Sequence, residues 1–342
     1  GYVSYVGKFV SLFEKKISQY TNTQYAIATS SGTSALHLVL RYFNLGPKDE
    51  VLVPSLTYVA TANAVTYCGS TPNFLDIERE TLGVCPKKLL KYLKKNTIKK
   101  GKFIYNKKTN KKIKALIAVH LYGFPCKIIE LKKICKKYGI ILIEDAAEAL
   151  GSFYKKKHLG TFGDAGILSF NGNKPITCGS GGAIITDNKT MSLKLKHLST
   201  HAKKQDLVDH IHDEIGYNYR MNNLSAAVGC AQMENIKKII KAKRKNYLWY
   251  RKAFKKLKYI QILKEPKLSK TNYWLITAVL KNHKIKNKVL KKLKREGYGL
   301  RTTWRPLHSL EIYKNCPRDK MENSNDFFKR AINFPSSPKL NY

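Results

Sequence analysis

Acidic residues are what this sequence lacks most: 23 aspartates and glutamates stand against 64 lysines and arginines in 342 residues, a formal charge of +41. Arginine is scarce too, at 10 of those 64 basic positions, and the lysines are spread over the whole length. Nucleic-acid readers lean on arginine for bidentate contacts. The charge is therefore read as a lysine-rich coat on an ordinary surface, and no nucleic-acid partner is expected. Long apolar runs are missing: those such as Ile140 to Ile143 are strand-sized and far short of the roughly 20 residues of a membrane span, so no membrane partner is expected. Paired cysteines are missing as well. The seven at 68, 85, 126, 135, 178, 230 and 316 follow neither disulfide nor zinc spacing, which reads as reduced thiols in a cytoplasmic protein without a metal site. No signal peptide is visible. The chain opens on Gly1 and stops at Tyr342 without a closing element, and it reads as trimmed at both ends.

What is present is 43% hydrophobic residues, enough for a substantial core. The length suggests a large domain over 1–245 and a smaller C-terminal one over 246–342. Phe9, Leu12, Phe13 and Ile17 fall on one helical face. The strand Tyr25 to Thr29 leads into Ser30-Ser31-Gly32-Thr33-Ser34 and a helical run containing His37, which reads as packing. Hydroxyls and glycine at a helix start offer free N–H groups to a phosphate, or serve as a plain N-cap. Val51 to Pro54 is a strand followed by Tyr58 at a strand-to-helix junction. From Pro86 to Lys114 the chain is intensely basic, and KKGKFIYNKKTNKK in its middle reads as a solvated hairpin or loop without chemistry. Ala115 to His120, the helix Ile128 to Tyr138, and Ile140 to Ile143 make a strand–helix–strand unit, hence a mostly parallel sheet. Glu144, Asp145 and Glu148 follow its second strand, where open α/β sheets hold ligands; a helix cap is the plainer alternative, and no histidine beside them suggests a metal.

Lys174 stands apart from the other lysines because its surroundings are ordered. Ile167, Leu168 and Phe170 make a strand, and Gly179, Gly181 and Gly182 turn into a second, Ala183-Ile184-Ile185. An amine pinned by a tight turn and able to lose its proton is what covalent lysine chemistry requires; a solvated loop lysine is the alternative. Farther on, Ser192 to Leu198 reads as a short helix, 201–213 as a polar, mobile stretch, LSAAVGCAQM as an apolar helix, and Ile236 to Leu257 as a second, basic helix.

Four motifs occur in order: SSGTSALHL, EDAAEALGS at Glu144 to Ser152, GTFGDAGILSFNGNKPITCGSGG, and GYNYRMNNLSAA. Together they resemble the DegT/DnrJ/EryC1/StrS family of sugar aminotransferases over nearly the whole chain. The resemblance implies the aspartate-aminotransferase-like fold (fold type I): a mostly parallel sheet with a smaller α+β domain. It also implies pyridoxal 5'-phosphate as cofactor. Lys174 matches the Schiff-base lysine, Asp145 the partner of the pyridine nitrogen, Tyr58 the stacking aromatic, Gly32 and Thr33 the phosphate cradle, and Ser169 a further phosphate ligand. Asn218 matches a residue that reaches the neighbouring subunit's phosphate, which implies a homodimer. Arg220, Trp304 and His308 lie where relatives contact a nucleotide sugar.

Glu148, where many relatives have glutamine, FNGNK with Asn171 and Ser180, and the basic insertion near Asn106 resemble the subgroup called LegC, on the route to legionaminic acid. The implied reaction carries an amine from L-glutamate to C4 of a UDP-linked, 2-acetamido-bearing 4-keto-6-deoxy sugar, with a GDP-linked sugar as the alternative. Dehydratases of the same fold replace the lysine with histidine, and this chain keeps Lys174. A non-catalytic protein of the same fold is the rival from another class.

Overall fold

Strand residues that alternate between two apolar faces decide this architecture. The computed structural model describes residues 3–204, 209 and 211–337. In chain order it runs α1 (Lys8–Thr21), β1 (Tyr25–Thr29), α2 (Gly32–Tyr42), β2 (Asp49–Pro54), α3 (Ala60–Tyr67), β3 (Thr71–Leu75), α4 (Pro86–Asn96), β4 (Thr97–Lys100), β5 (Phe103–Asn106) and β6 (Lys112–Val119). Next come α5 (Ile128–Tyr138), β7 (Ile141–Asp145), β8 (Phe153–Tyr154), β9 (Lys157–His158), β10 (Ala165–Ser169), β11 (Gly182–Thr186), α6 (Lys189–Ser199) and α7 (Asn223–Ala253). The C-terminal part holds β12 (Ile260–Ile262), β13 (Ser269–Lys270), β14 (Ile276–Leu280), α8 (His283–Arg295), β15 (Arg301–Thr302), α9 (Glu322–Arg330) and β16 (Ala331–Phe334).

The main sheet has the order β1-β11-β10-β7-β6-β2-β3. Pairings from β10 through β7, β6 and β2 to β3 are all parallel, while β11 runs antiparallel to β10 and β1. Both faces are covered, as a parallel sheet requires. Val51, Val53, Ala115, Ile117, Ile143 and Ile167 pack with α2, α3 and α6 in one core. Leu52, Leu116, Ala118, Leu142 and Leu168 pack with α1, α4, α5 and α7 in the other. Period-two alternation thus sends successive residues to opposite cores.

A four-stranded antiparallel sheet, β12-β14-β16-β15, forms the C-terminal part with α8 and α9. Its Trp274, Ile276, Ala278 and Ile332 share one core with the main sheet's α2 side. The two helices expected around 224–233 and 236–257 are a single 31-residue rod, α7. No proline or capping glycine interrupts that run, so the polar stretch between them stays helical. The rod passes through position 245, where the two-domain division was drawn. The expectation for 201–213 falls in part outside the described residues.

The basic segment after α4 is a β4–β5 hairpin, as its composition suggested, yet it is anchored. Glu50 on β2 is fully buried, and its carboxylate accepts from the amides of Asn73 at 2.7 Å and Asn106 at 2.9 Å and from the Thr109 hydroxyl. A buried carboxylate must have such donors. Asn106→Ala is expected to cost about 1–3 kcal/mol in urea unfolding, and an unchanged midpoint would remove Asn106 as the anchor.

Candidate active site

At the C-terminal ends of β6, β7 and β10, where a parallel sheet leaves its ligand crevice, the structure has a cavity of about 480 Å³. It is walled by the start of α2, the Tyr58–Thr61 turn, Asp145, Glu148, Ser169 and Lys174, and on the C-terminal side by Trp274, Arg301 and Trp304. A larger cavity of about 1260 Å³ lies along α7, with lysines around it and no carboxylate. Only the smaller one combines an amine with carboxylates.

Alternation on β7 separates its acids. Glu144 turns into the fold, where its carboxylate accepts from His120 at 2.7 Å and from the backbone N–H groups of Gly160, Phe162 and Gly163. Burial pushes its carboxyl up, but these donors outweigh burial and hold it below its ordinary range. Asp145, one residue on, lines the cavity, taking the Thr61 hydroxyl at 2.8 Å and the Ala147 N–H at 3.2 Å. Glu148 follows in the next turn. Its Oε2 accepts the Tyr122 N–H at 2.7 Å, and its Oε1 lies 3.7 Å from Lys174 Nζ. Burial pushes Glu148 up to about 7, with Lys174 and the Tyr122 N–H pulling it down and Asp145 adding to the rise.

The Lys174 turn is closed by Lys174 N–H to the Asn171 carbonyl at 2.9 Å and Cys178 N–H to the Phe170 carbonyl at 2.9 Å. Its amine sits 4.0 Å from the centroid of the Trp274 ring. Across the cavity Ser31 caps α2, accepting from Ser34 N–H at 3.0 Å, while the Ser34 hydroxyl answers the Ser31 N–H at 3.0 Å. Gly32 and Thr33 open the helix, where N–H groups have no intrahelical acceptor, and both line the cavity. Their setting is tight. A Cβ on Gly32 would lie 3.0 Å from Ser169 Cβ, and one on Gly182 would come within 2.5 Å of Gly32 N. Free N–H groups beside a hydroxyl, in a space that two glycines keep clear, fit a phosphate. Lys174 with Asp145 fits the carbonyl and the ring nitrogen of pyridoxal phosphate.

Of the anticipated residues, Gly32, Thr33, Tyr58, Asp145, Glu148, Ser169, Lys174 and Trp304 come together around the cavity. Tyr58 is 53% exposed and edge-on to Trp304 at 5.9 Å, so it stands at the open side. Three do not line it. Arg220 points into the fold, with Nη1 2.8 Å from Glu14 Oε1 and 3.2 Å from the Ala28 carbonyl, a pairing that holds α1 against β1. His308 is likewise turned away, its Nδ1 2.6 Å from the Ser55 hydroxyl. Asn218 forms a backbone bridge to Thr200 outside this chain's own cavity.

Sequence reasoning passed over Trp274, Thr61 and Tyr122. Trp274 reads as an ordinary core aromatic, and only its distance from Lys174 in space marks it out. Among the described residues one group could offer metal-ligand atoms together, His197, Asp213 and Glu214. It is not in the cavity and is ion-paired with Lys194 and Lys204.

Fold and site define a fold type I aminotransferase that uses pyridoxal phosphate. The chain belongs to the DegT/DnrJ/EryC1/StrS aminotransferase family, whose model matches residues 1–342. It is 36% identical to a GDP-perosamine synthase of Escherichia coli O157:H7, over 99% of this chain and 88% of that protein. It is 32% identical to the UDP-4-amino-4,6-dideoxy-N-acetyl-beta-L-altrosamine transaminase of Campylobacter jejuni, over 98% of this chain and 86% of that one. Among solved structures it resembles Helicobacter pylori PseC, an aminotransferase involved in the biosynthesis of pseudoaminic acid. The TM-score is 0.88 at 26% identity, covering 99% of this chain and 88% of that chain.

Glu148 gives the site a pH signature. It keeps its proton to about pH 7 when folded, against an ordinary value of 4.5. The folded state therefore binds the extra proton between these values, and stability falls as pH rises through that window. Glu148→Gln is expected to remove this slope, worth on the order of 3 kcal/mol, in denaturant melts of the cofactor-free protein between pH 4 and 8. An unchanged slope would contradict the buried, protonated state.

Proposed function

We propose that the chain transfers an amino group from L-glutamate to C4 of a nucleotide-linked 4-keto-6-deoxy sugar, as a homodimer whose subunits complete each other's sites. The observation that carries this reading is the Lys174 amine, held in the cavity between Glu148 and Trp274 with Asp145 beside them. The relatives' names support the acceptor class: both are named for nucleotide-linked sugars, and one for a 4-amino-4,6-dideoxy product.

Pyridoxal phosphate supplies a carbonyl for amine exchange and an electron sink for the reacting carbon. The Gly32 and Thr33 N–H groups and the Ser169 hydroxyl would take its phosphate, Asp145 its ring-nitrogen proton, and Tyr58 one ring face. Lys174 Nζ takes the proton from the reacting carbon of the donor and returns one at C4 of the acceptor. Glu148, titrating near neutrality, is the nearest group able to exchange a proton with that amine. Trp304 and Trp274 wall the substrate side and exclude water. Asn218 would help hold the cofactor phosphate of the partner subunit. A surface of +41 raises the local concentration of an anionic diphosphate.

The LegC-like features favour a UDP-linked, 2-acetamido acceptor on a route to legionaminic acid. The 36% identity to a GDP-perosamine synthase supports a GDP-linked sugar as the second reading. Incubation with cofactor, glutamate and a panel of UDP- and GDP-4-keto sugars is expected to yield a 4-amino sugar by mass spectrometry. Cofactor uptake without product on every acceptor would sink the proposal. Lys174→Ala is expected to abolish both product and the borohydride-trapped adduct.

Shared sites make a separate prediction. Lys174→Ala and Asn218→Ala subunits, each nearly inactive alone, should regain about a quarter of wild-type activity when mixed and re-dimerised, because each mixed dimer keeps one intact site. Absence of recovery would separate Asn218 from the partner's site.

A further inference from the structure

We infer that Trp274 is a positioning residue for Lys174: its indole face is the seat that holds the Lys174 ammonium beside Glu148 whenever that amine is not bonded to the cofactor. The inference rests on Lys174 being the cofactor-bearing lysine. A transaminase frees this amine in every cycle, and a free flexible side chain has many rotamers to occupy. The amine must return to one place to react again.

The geometry supplies that place. Lys174 Nζ lies 4.0 Å from the Trp274 ring centroid and 3.7 Å from Glu148 Oε1. A cation over an indole face is attracted by the ring quadrupole, more so away from water, and the lysine side chain is only 11% exposed. The seat is keyed to both partners. Indole Nε1–H donates at 2.5 Å to the carbonyl of Asn173, the residue preceding the lysine. The Trp274 N–H donates to Asn272 Oδ1 at 2.9 Å, and the Asn272 amide donates to the carbonyls of Glu148 at 2.8 Å and Leu150 at 2.9 Å. Trp304 stacks on the indole at 6.2 Å with a 17° interplanar angle. Ring, carboxylate and the lysine's own backbone are thus held in one frame, so the amine's position is set with respect to all three.

A buried tryptophan is ordinarily a core residue, and the two roles differ in what they move. Trp274→Leu and Trp274→Met remove the π face, whereas Trp274→Phe keeps a face and loses the N–H. Each variant is prepared free of cofactor and its melting temperature checked. The rate of covalent capture of pyridoxal phosphate at Lys174, trapped by borohydride and mapped by peptide, is then compared with the affinity for pyridoxamine phosphate, which forms no bond to the lysine. The seat predicts capture about tenfold slower in the Leu and Met variants, within about threefold of wild type in Phe, and pyridoxamine phosphate affinity within about twofold throughout. Capture unchanged in both Leu and Met variants, or both quantities falling by the same factor, overturns the inference. No adduct at Lys174 in the wild type would instead remove the lysine's own assignment, and the seat with it.

Discussion

Withdrawing one amine and two carboxylates from water at the ends of parallel strands is the constraint around which this molecule is built. Each buried ionisable group costs several kcal/mol unless it is paired or hydrogen-bonded. Asp145 is met by Thr61 and Ala147, and Glu148 by Tyr122 and Lys174. One of these supports is strained: Tyr122 has φ 56°, a left-handed backbone that costs a non-glycine residue about 1–2 kcal/mol. Its N–H is the donor to Glu148. Strain held in place by a functional contact is what clusters at active sites, and here it keeps one carboxylate oxygen occupied while the other faces the amine.

Burial alone does not make a group reactive, as Glu144 shows. It sits one residue from Asp145 and is fully buried, yet four donors saturate it and leave it no reason to change protonation. Glu148 has one firm donor and an amine 3.7 Å away, and it titrates near 7. The difference lies in the count of donors. On β7 itself the pleat, which turns successive side chains to opposite faces, sends Glu144 into the fold and Asp145 to the cavity.

That distinction explains what was legible in the chain before its structure. Lys174, Asp145 and the Ser31–Thr33 cap announce themselves because their chemistry depends on local geometry: a glycine turn, a strand end, a helix start. The parallel sheet was readable for the same reason, from runs such as Ala115 to Val119. The pairing of Arg220 could not be read in advance, because its partner Glu14 lies 206 residues away in sequence. The Trp274 indole was invisible for the converse reason. Its meaning comes from Asn173, 101 residues earlier, and from a lysine that only the folded sheet brings under its face. The fusion of two expected helices into α7 has a simpler origin: no residue between them stops a helix.

The C-terminal part supplies one wall of the cavity, and the way it is fastened sets where that wall stands. His308 bonds Ser55 after β2, Tyr313 donates to Asn63 in α3 at 2.6 Å, and Asp76 takes the Asn323 and Ser324 N–H groups together with the Ser324 hydroxyl. These contacts join the two parts along the β2–β3 edge of the main sheet, and a continuous core backs them. Opening by a hinge would break all of them at once, together with the Trp274 bond to Asn173. Tyr58, by contrast, is half exposed and makes a single edge contact with Trp304. With the C-terminal part so fastened, the tryptophan wall of the cavity is held stationary. A wall that does not move is also what a seat for the lysine requires, since the amine must find the same indole face after each departure.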